Sequence, residues 1–251
     1  GKHIESFYDL MASIDKLGSL FDLPIERTDG LLTMGSGTGI VVKDVCYSLP
    51  EGREVLKDVS MIIKSGQKVS ITGPSGCGKS LLLDILFGLR EPTSGVVTVN
   101  GIDPHDMRPD VLRRHVALAR DIEIFEGTIA ENVHLERPDI SIGEVRAALE
   151  IVGLLPSIQQ HPQGLETPLT SSGCPLTTSQ LQRLMVARAI AGAPEIVLLD
   201  EILDSMSDAG SAQILQRIIG EKSAAMIVLV TNREKLNSMM DSVIQVSGVQ
   251  P

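Results

Sequence analysis

A chain of 251 residues can bury a substantial core, as one large domain or two small ones. Its formal charge of -10 and isoelectric point near 5.0 disfavour a nucleic-acid surface or a polybasic membrane patch, so an anionic ligand needs a local, focused site. Cys46, Cys77 and Cys174 lack metal-ligand spacing and fit a reducing compartment better than a disulfide framework, while no signal-peptide pattern and no apolar run of about 18 residues is visible.

In chain order, Phe7, Leu10, Met11, Ile14, Leu17 and Phe21 recur at helical spacing until Pro24, which predicts an amphipathic helix in a connecting segment over residues 1–30. Gly35 to Gly39 reads as a flexible hinge. Ile40 to Tyr47, Val55-Leu56 and Val59 to Ile63 are strand-like, with Pro50-Glu51-Gly52 as a turn. The apolar run Val69-Ser70-Ile71-Thr72 then leads into Gly73-Pro74-Ser75-Gly76-Cys77-Gly78-Lys79-Ser80 and the helical pattern Leu81 to Leu86.

Strand, glycine-rich turn and helix in this order are the setting of a phosphate-binding loop. The glycines let successive backbone N–H groups converge without Cβ clashes, and the helix adds its positive dipole end, so Gly73 to Leu81 suit a triphosphate. Lys79 is expected to reach the outer phosphates and the Ser80 hydroxyl to hold magnesium, with Cys77 a small filler in the turn.

Val96 to Val99 followed by Asn100-Gly101 reads as a strand ending in a tight turn, and Val116 to Ala119 as another strand. From Thr128 to about Ile158 the pattern is helical, with Ile142, Val145, Ala148, Leu149 and Val152 on one face. A loop over 162–178 leads to a helix from Ser179 to Ala191, capped by Thr178 or Ser179. Then come the strand Ile196 to Leu199, a helix containing Ile214, Leu215 and Ile218, and the strand Met226 to Val230. Uninterrupted apolar strands separated by helices predict a parallel sheet covered on both faces, with a nucleotide at its carboxyl edge.

Asp200-Glu201 ends one of these strands about 120 residues after Lys79. An acid there can hold magnesium with Ser80, and the adjacent carboxylate can orient or deprotonate an attacking water. A pair that caps the next helix is the other reading.

Further stretches carry a resemblance: Val55 to Ser60, Pro92-Thr93-Ser94-Gly95, Val99-Asn100-Gly101, Ile124 to Asn132, Gln182 to Ile190 and Pro194 to Glu201. In this order they resemble the nucleotide-binding domain of the ATP-binding cassette (ABC) transporters, of the exporter type, over residues from about 31 to 247. The resemblance implies an α/β fold: a P-loop NTPase (RecA-like) core with a parallel sheet, an N-terminal antiparallel β region and a helical subdomain inserted over about 121–180. It implies that ATP and Mg²⁺ bind, with Asp200 and Ser80 on the metal and Glu201 and Lys79 in catalysis. It also implies two domains stacked head to tail, and membrane helices upstream in the natural chain, with this part at the cytoplasmic face of a membrane. On that reading residues 1–30 are the link and 31–251 the domain.

Several positions depart from the family pattern. The signature Leu-Ser-Gly-Gly-Gln is here Leu176-Thr177-Thr178-Ser179-Gln180, and the added Cβ atoms put close approach to a partner's γ-phosphate in question, although a helix N-terminus tolerates both residues. The family's magnesium-contacting glutamine falls on Arg120, which has no lone pair to offer; it either pairs with a phosphate or is a solvated loop arginine beside Asp121. The γ-phosphate histidine falls on Asn232, which donates a hydrogen bond but does not titrate near neutral pH. The adenine-stacking aromatic falls on Leu49; Tyr47, placed by alternation on the same face, is a partial substitute. Asp204 to Ser207 also departs from the family's interface turn. These features together predict an ATP-binding domain of slow hydrolysis, or else a regulatory half that needs a complete partner; a soluble ABC protein acting on DNA or ribosomes is disfavoured by the acidic balance.

Overall fold

The computed structural model describes residues 28–35, 37 and 39–247, together with residues 11, 14 and 18. The helix expected from Phe7 to Phe21 lies outside the described residues apart from Met11, Ile14 and Gly18, which are helical.

An antiparallel sheet opens the described fold. β1 (Gly39–Ser48) lies between β2 (Glu54–Lys64) and β4 (Ser94–Val99). The two runs expected at Val55-Leu56 and Val59 to Ile63 are one strand, which absorbs Asp58 at φ 47 within an irregular register. The turn after β1 closes through Gly52 N–H donating to the Leu49 carbonyl at 2.8 Å. At the end of β4, Asn100 (φ 50) and Gly101 (φ 84) are both left-handed, the conformation that suits a two-residue turn matched to strand twist.

The second sheet is parallel, in the order β10-β3-β9-β8-β5, with β3 (Lys68–Thr72), β5 (Val116–Ala119), β8 (Ile196–Asp200), β9 (Met226–Val230) and β10 (Ser242–Gln245). Strand β10 is an addition to the sequence reading; four residues with two exposed carry too little pattern to stand out. Every residue of β8 and β9 is buried, because the sheet is covered on both faces. Ile196, Leu198, Val228 and Val230 pack with Leu82, Leu83 and Ile85 of α1 (Lys79–Leu86), whereas Val197, Leu199, Ile227 and Leu229 belong to the core on the other face. That second core joins the sheet to a helical layer.

After α2 (Pro109–His115), the helical stretch expected from Thr128 to Ile158 divides into α3 (Ile129–His134), α4 (Ile142–Ile151) and α5 (Leu155–Ile158). The breaks fall where the backbone turns left-handed, at Leu135 (φ 52), Glu136 (φ 55) and Gly153 (φ 68). Reciprocal capping boxes at Thr128/Glu131 and Ser141/Glu144 start α3 and α4. A short pair, β6 (Gly127–Thr128) with β7 (Pro168–Leu169), ties the layer's two ends together.

Helix α6 (Thr178–Ile190) corrects the expected cap. Thr177, rather than Thr178 or Ser179, caps it: the Thr177 hydroxyl accepts from Gln180 N–H while Gln180 Oε1 accepts from Thr177 N–H at 2.8 Å. The reciprocal partner three residues on decides the boundary. Helix α7 (Asp208–Glu221) is capped by Ser207, and the short α8 (Glu234–Asn237) follows β9.

The connection from β8 to α7 is fastened to the end of β9. Arg233 Nη1 donates to the carbonyls of Leu203 (3.1 Å) and Met206 (3.0 Å) and to Ser211 Oγ (3.2 Å), while Nη2 pairs with Asp208. Thr231 Oγ1 donates to Asp204 Oδ1 at 2.6 Å. Burial pushes the Asp204 carboxyl above the usual carboxylate range, against the opposing pull of Thr231, the Asn232 backbone and Arg233.

Two outcomes follow from these contacts. Thr177→Ala should destabilise the chain by about 1 kcal/mol in urea unfolding, the ordinary loss for a cap. Asp204 binds its proton more tightly folded than unfolded, so its contribution to stability falls as pH rises through the carboxylate range. Asp204→Asn keeps the Oδ1 acceptor and should remove that decline, read as a flatter dependence of the urea midpoint on pH above about 4.

Candidate functional site

Parallel pairing brings four strand ends to one rim. The register sets Ile71 beside Val230, Asp200 beside Val230, and Ala119 beside Leu199. The residues just past the strands, Gly73, Arg120, Glu201 and Thr231, therefore emerge side by side, and the site is assembled from them.

Gly73 to Gly78 form the turn between β3 and α1, and Lys79 and Ser80 open the helix. Gly78 caps α1 at φ 94, where a Cβ would fall 2.5 Å from Leu56 Cδ2, so both conformation and space require glycine. Gly76, at φ 78, faces open space. Ser75, Gly76 and Ser80 are exposed, Leu81 is half-buried, and Cys77 is buried, its N–H donating to the Pro74 carbonyl at 3.3 Å. Lys79 is 5% exposed and folds back along the turn, donating to the carbonyls of Gly73 (3.0 Å) and Pro74 (3.1 Å). Its Nζ also lies 3.5 Å from Glu201 Oε1, so one cation joins the turn to the acidic strand end.

The two acids leave β8 differently. Asp200 completes the strand and is 3% exposed; Glu201 follows at φ 53 and its side chain is 53% exposed. Neither caps the next helix, which Ser207 does, so the capping reading fails. Asn232, at the end of β9, accepts from Gly73 N–H through Oδ1 at 3.2 Å and thereby touches the first residue of the turn.

Arg120 is neither a solvated loop arginine nor turned toward Asp121. Its Nε donates to Asp200 Oδ2 at 2.5 Å, its Nη2 donates to the Ser80 carbonyl at 2.9 Å, and Nη2 lies 2.8 Å from Asp84 Oδ1. Burial opposes its charge, but the close contact with Asp84 and the charge and hydrogen bond of Asp200 outweigh it and hold the guanidinium above its ordinary range. Magnesium would need Ser80 and Asp200 as oxygen donors. Asp200 Oδ1 is buried without a hydrogen-bond partner, which suits a hard cation, but Oδ2 belongs to Arg120. With a permanent positive charge inside the donor set, the residues as arranged do not fit a divalent ion.

Tyr47 is half-buried on β1 opposite Leu56, and its hydroxyl accepts from Arg90 Nη1 at 3.1 Å. Leu49 lies past the last residue of β1, in the turn, so strand alternation does not extend to it and does not place it with Tyr47. Thr178 and Ser179 are exposed at the start of α6. Sequence reading missed Asp84, the second carboxylate on Arg120, although it stands one helical turn after Ser80 on the same face. It also missed Gln182, whose Nε2 donates to Ser205 Oγ at 2.5 Å. A cleft of about 460 Å³ opens here, lined in part by Ser80, Arg120, Gln182, Asp200, Glu201 and Ser205.

Comparison with known proteins agrees with this geometry. The family model described as ABC transporter matches residues 56–204. The chain is 33% identical over 203 residues to ATP-binding cassette sub-family B member 6 of Rattus norvegicus, covering 78% of this chain and 24% of that protein. It is 32% identical over 246 residues to an ATP-dependent lipid A-core flippase of Neisseria gonorrhoeae, covering 95% and 39% respectively. The solved structure of a bacterial Atm1-family ABC exporter with ATP bound superposes with a TM-score of 0.81 at 23% identity, over 97% of this chain and 44% of the other, and supports the α/β fold. The chain thus spans less than half the length of these relatives. A phosphate-loop turn facing an acidic strand end, on a parallel sheet with an antiparallel flank, and a family match across more than half of its residues, make this chain a nucleotide-binding domain belonging to the ABC transporter family.

Proposed function

We propose that this domain binds ATP for an ABC exporter and hydrolyses it slowly, residues 31–251 forming the domain and 1–30 its link to membrane helices. The observation that carries the reading is Lys79, which lies on the turn carbonyls of Gly73 and Pro74 and 3.5 Å from Glu201. A triphosphate entering the turn offers oxygens in place of those carbonyls, and Lys79 transfers its hydrogen bonds to the outer phosphates. The backbone N–H groups at the start of α1 receive the rest of the charge.

Glu201, freed from its cation, orients a water in line with the outermost phosphorus. The water oxygen forms a bond to phosphorus as the bond to the ADP oxygen breaks, and the water proton passes to Glu201. Asn232 keeps the first turn residue in place from β9. Magnesium, expected on Ser80 and Asp200, meets Arg120 there, whose guanidinium holds Asp200 Oδ2 and the Ser80 carbonyl.

Slow turnover is supported by Arg120 on Asp200 and by Thr178 and Ser179, whose side chains stand where a partner domain's phosphate would approach the start of α6. The partners proposed are a second nucleotide-binding domain, stacked head to tail, and transmembrane domains of the same natural chain; this places the domain at the cytoplasmic face of a membrane. Among the described residues no helix is long and apolar enough to cross one. Arg120 also favours a second reading, a regulatory half beside a complete partner; mixing with such a partner would then raise the partner's turnover while this chain contributes none.

Steady-state ATP hydrolysis by the chain alone should stay below about 1 per second, the lower edge of common enzyme turnover, and Glu201→Gln should reduce what remains by about tenfold or more. Turnover of tens per second, abolished by Glu201→Gln, would refute slow hydrolysis. Lys79→Ala should weaken ATP binding by roughly 10- to 100-fold, the range for a lost charge-assisted hydrogen bond, measured by titration calorimetry; unchanged affinity would remove the turn from the site.

A further inference from the structure

The position of Arg120 is dictated by the sheet. Ala119 pairs with Leu199 in parallel register, so Arg120, just past β5, and Asp200, the last residue of β8, come out as neighbours at the rim. On the opposite wall, Ser80 and Asp84 stand one turn apart on α1 and face the same gap. The guanidinium enters between these walls, donating to Asp200 Oδ2 and the Ser80 carbonyl, with Asp84 Oδ1 in ion-pair contact at 2.8 Å.

This grip has more than one anchor. An arginine held by a single exposed carboxylate exchanges readily with water, but Asp200 is 3% exposed and its charge would be buried uncompensated if Arg120 withdrew. Asp84 is further tied by Arg90, whose Nε donates to Oδ2 at 3.3 Å. Lys79, Arg90 and Arg120 are paired with Glu201, Asp84 and Asp200, so each of these three acids already has a cation, while Asp121 also lines the cleft. A divalent ion entering it would find Asp200 Oδ2 taken and a like charge beside the remaining Oδ1. Nη1 of Arg120 makes no hydrogen bond among the described residues and is the donor left over for a ligand in the cleft.

We propose that Arg120 stands in for the divalent cation: the site takes the nucleotide triphosphate without a metal ion, its charge met by Arg120 and Lys79. The inference rests on the proposed nucleotide binding and assigns Arg120 a binding role that a glutamine at that position cannot fill. It makes the metal dependence of binding a property of one residue.

The test is calorimetric titration of the 251-residue chain with ATP, once in excess EDTA and once in millimolar Mg²⁺, with electron paramagnetic resonance of Mn²⁺ as a second readout. For the wild-type chain the two affinities should agree within about threefold, and Mn²⁺ added with ATP should give the spectrum of Mn²⁺-ATP in bulk solution. Arg120→Gln should bind ATP at least about tenfold more tightly with Mg²⁺ than in EDTA and should immobilise Mn²⁺. Arg120→Lys, which keeps the charge and a donor, should remain metal-independent; this variant and the wild-type Mn²⁺ spectrum carry the test if the glutamine variant does not fold. Wild-type binding that needs Mg²⁺ by tenfold or more, or immobilised Mn²⁺ on the wild-type chain, would overturn the role of Arg120 while leaving nucleotide binding intact. Absence of ATP binding by the wild-type chain in both conditions would overturn the proposed function, and the inference with it.

Discussion

Parallel strand pairing is the constraint on which everything else depends. Strands that run the same way end on the same side, and β3, β9, β8 and β5 are adjacent. Their spacing of about 4.8 Å places residues distant in sequence within side-chain reach across one rim. Lys79, Arg120, Glu201 and Asn232 belong to four separate segments, and register alone brings them together. The helices and the apolar residues on both faces secure that register, because sliding β8 by one residue would turn Val197 and Leu199 into the wrong core.

Within the rim, charge is arranged in pairs. The basic groups Lys79 and Arg120 lie on the acids Glu201 and Asp200, and each pair spans two elements. Lys79 is the easier to redirect, since its partners are two carbonyls and a solvent-facing carboxylate. Arg120 is committed to a buried one. The difference separates a group poised for exchange from one that is part of the framework.

Much of the site was legible from local sequence. The turn from Gly73 to Ser80 is a contiguous motif whose glycines answer a conformational need, and Asp200-Glu201 ends an unmistakably apolar strand. The parallel sheet was legible from β3, β8 and β9 for the same reason, while β10 was too short and too exposed to register. What could not be read is whatever depends on pairing between segments. The partners of Arg120 lie 36 and 80 positions away in sequence, on α1 and β8, so the local sequence offered only a phosphate or solvent beside Asp121 as its surroundings and not this ion network. The cap of α6 was misplaced for a nearer cause: three hydroxyl residues in a row offer three candidate caps, and only the reciprocal bond from Gln180 selects Thr177. Arg233, too, looked unremarkable until β9 delivered it against the carbonyls of the β8–α7 connection.

The backbone of Glu201 carries a separate meaning. Its φ of 53 is a left-handed twist that a side chain other than glycine adopts reluctantly. That single dihedral sorts two adjacent carboxylates into unlike surroundings, one closed inside the protein and one facing solvent beside Lys79. Chemistry that asks for a sheltered anion beside an accessible one is thereby supplied by a kink, without any specialised residue.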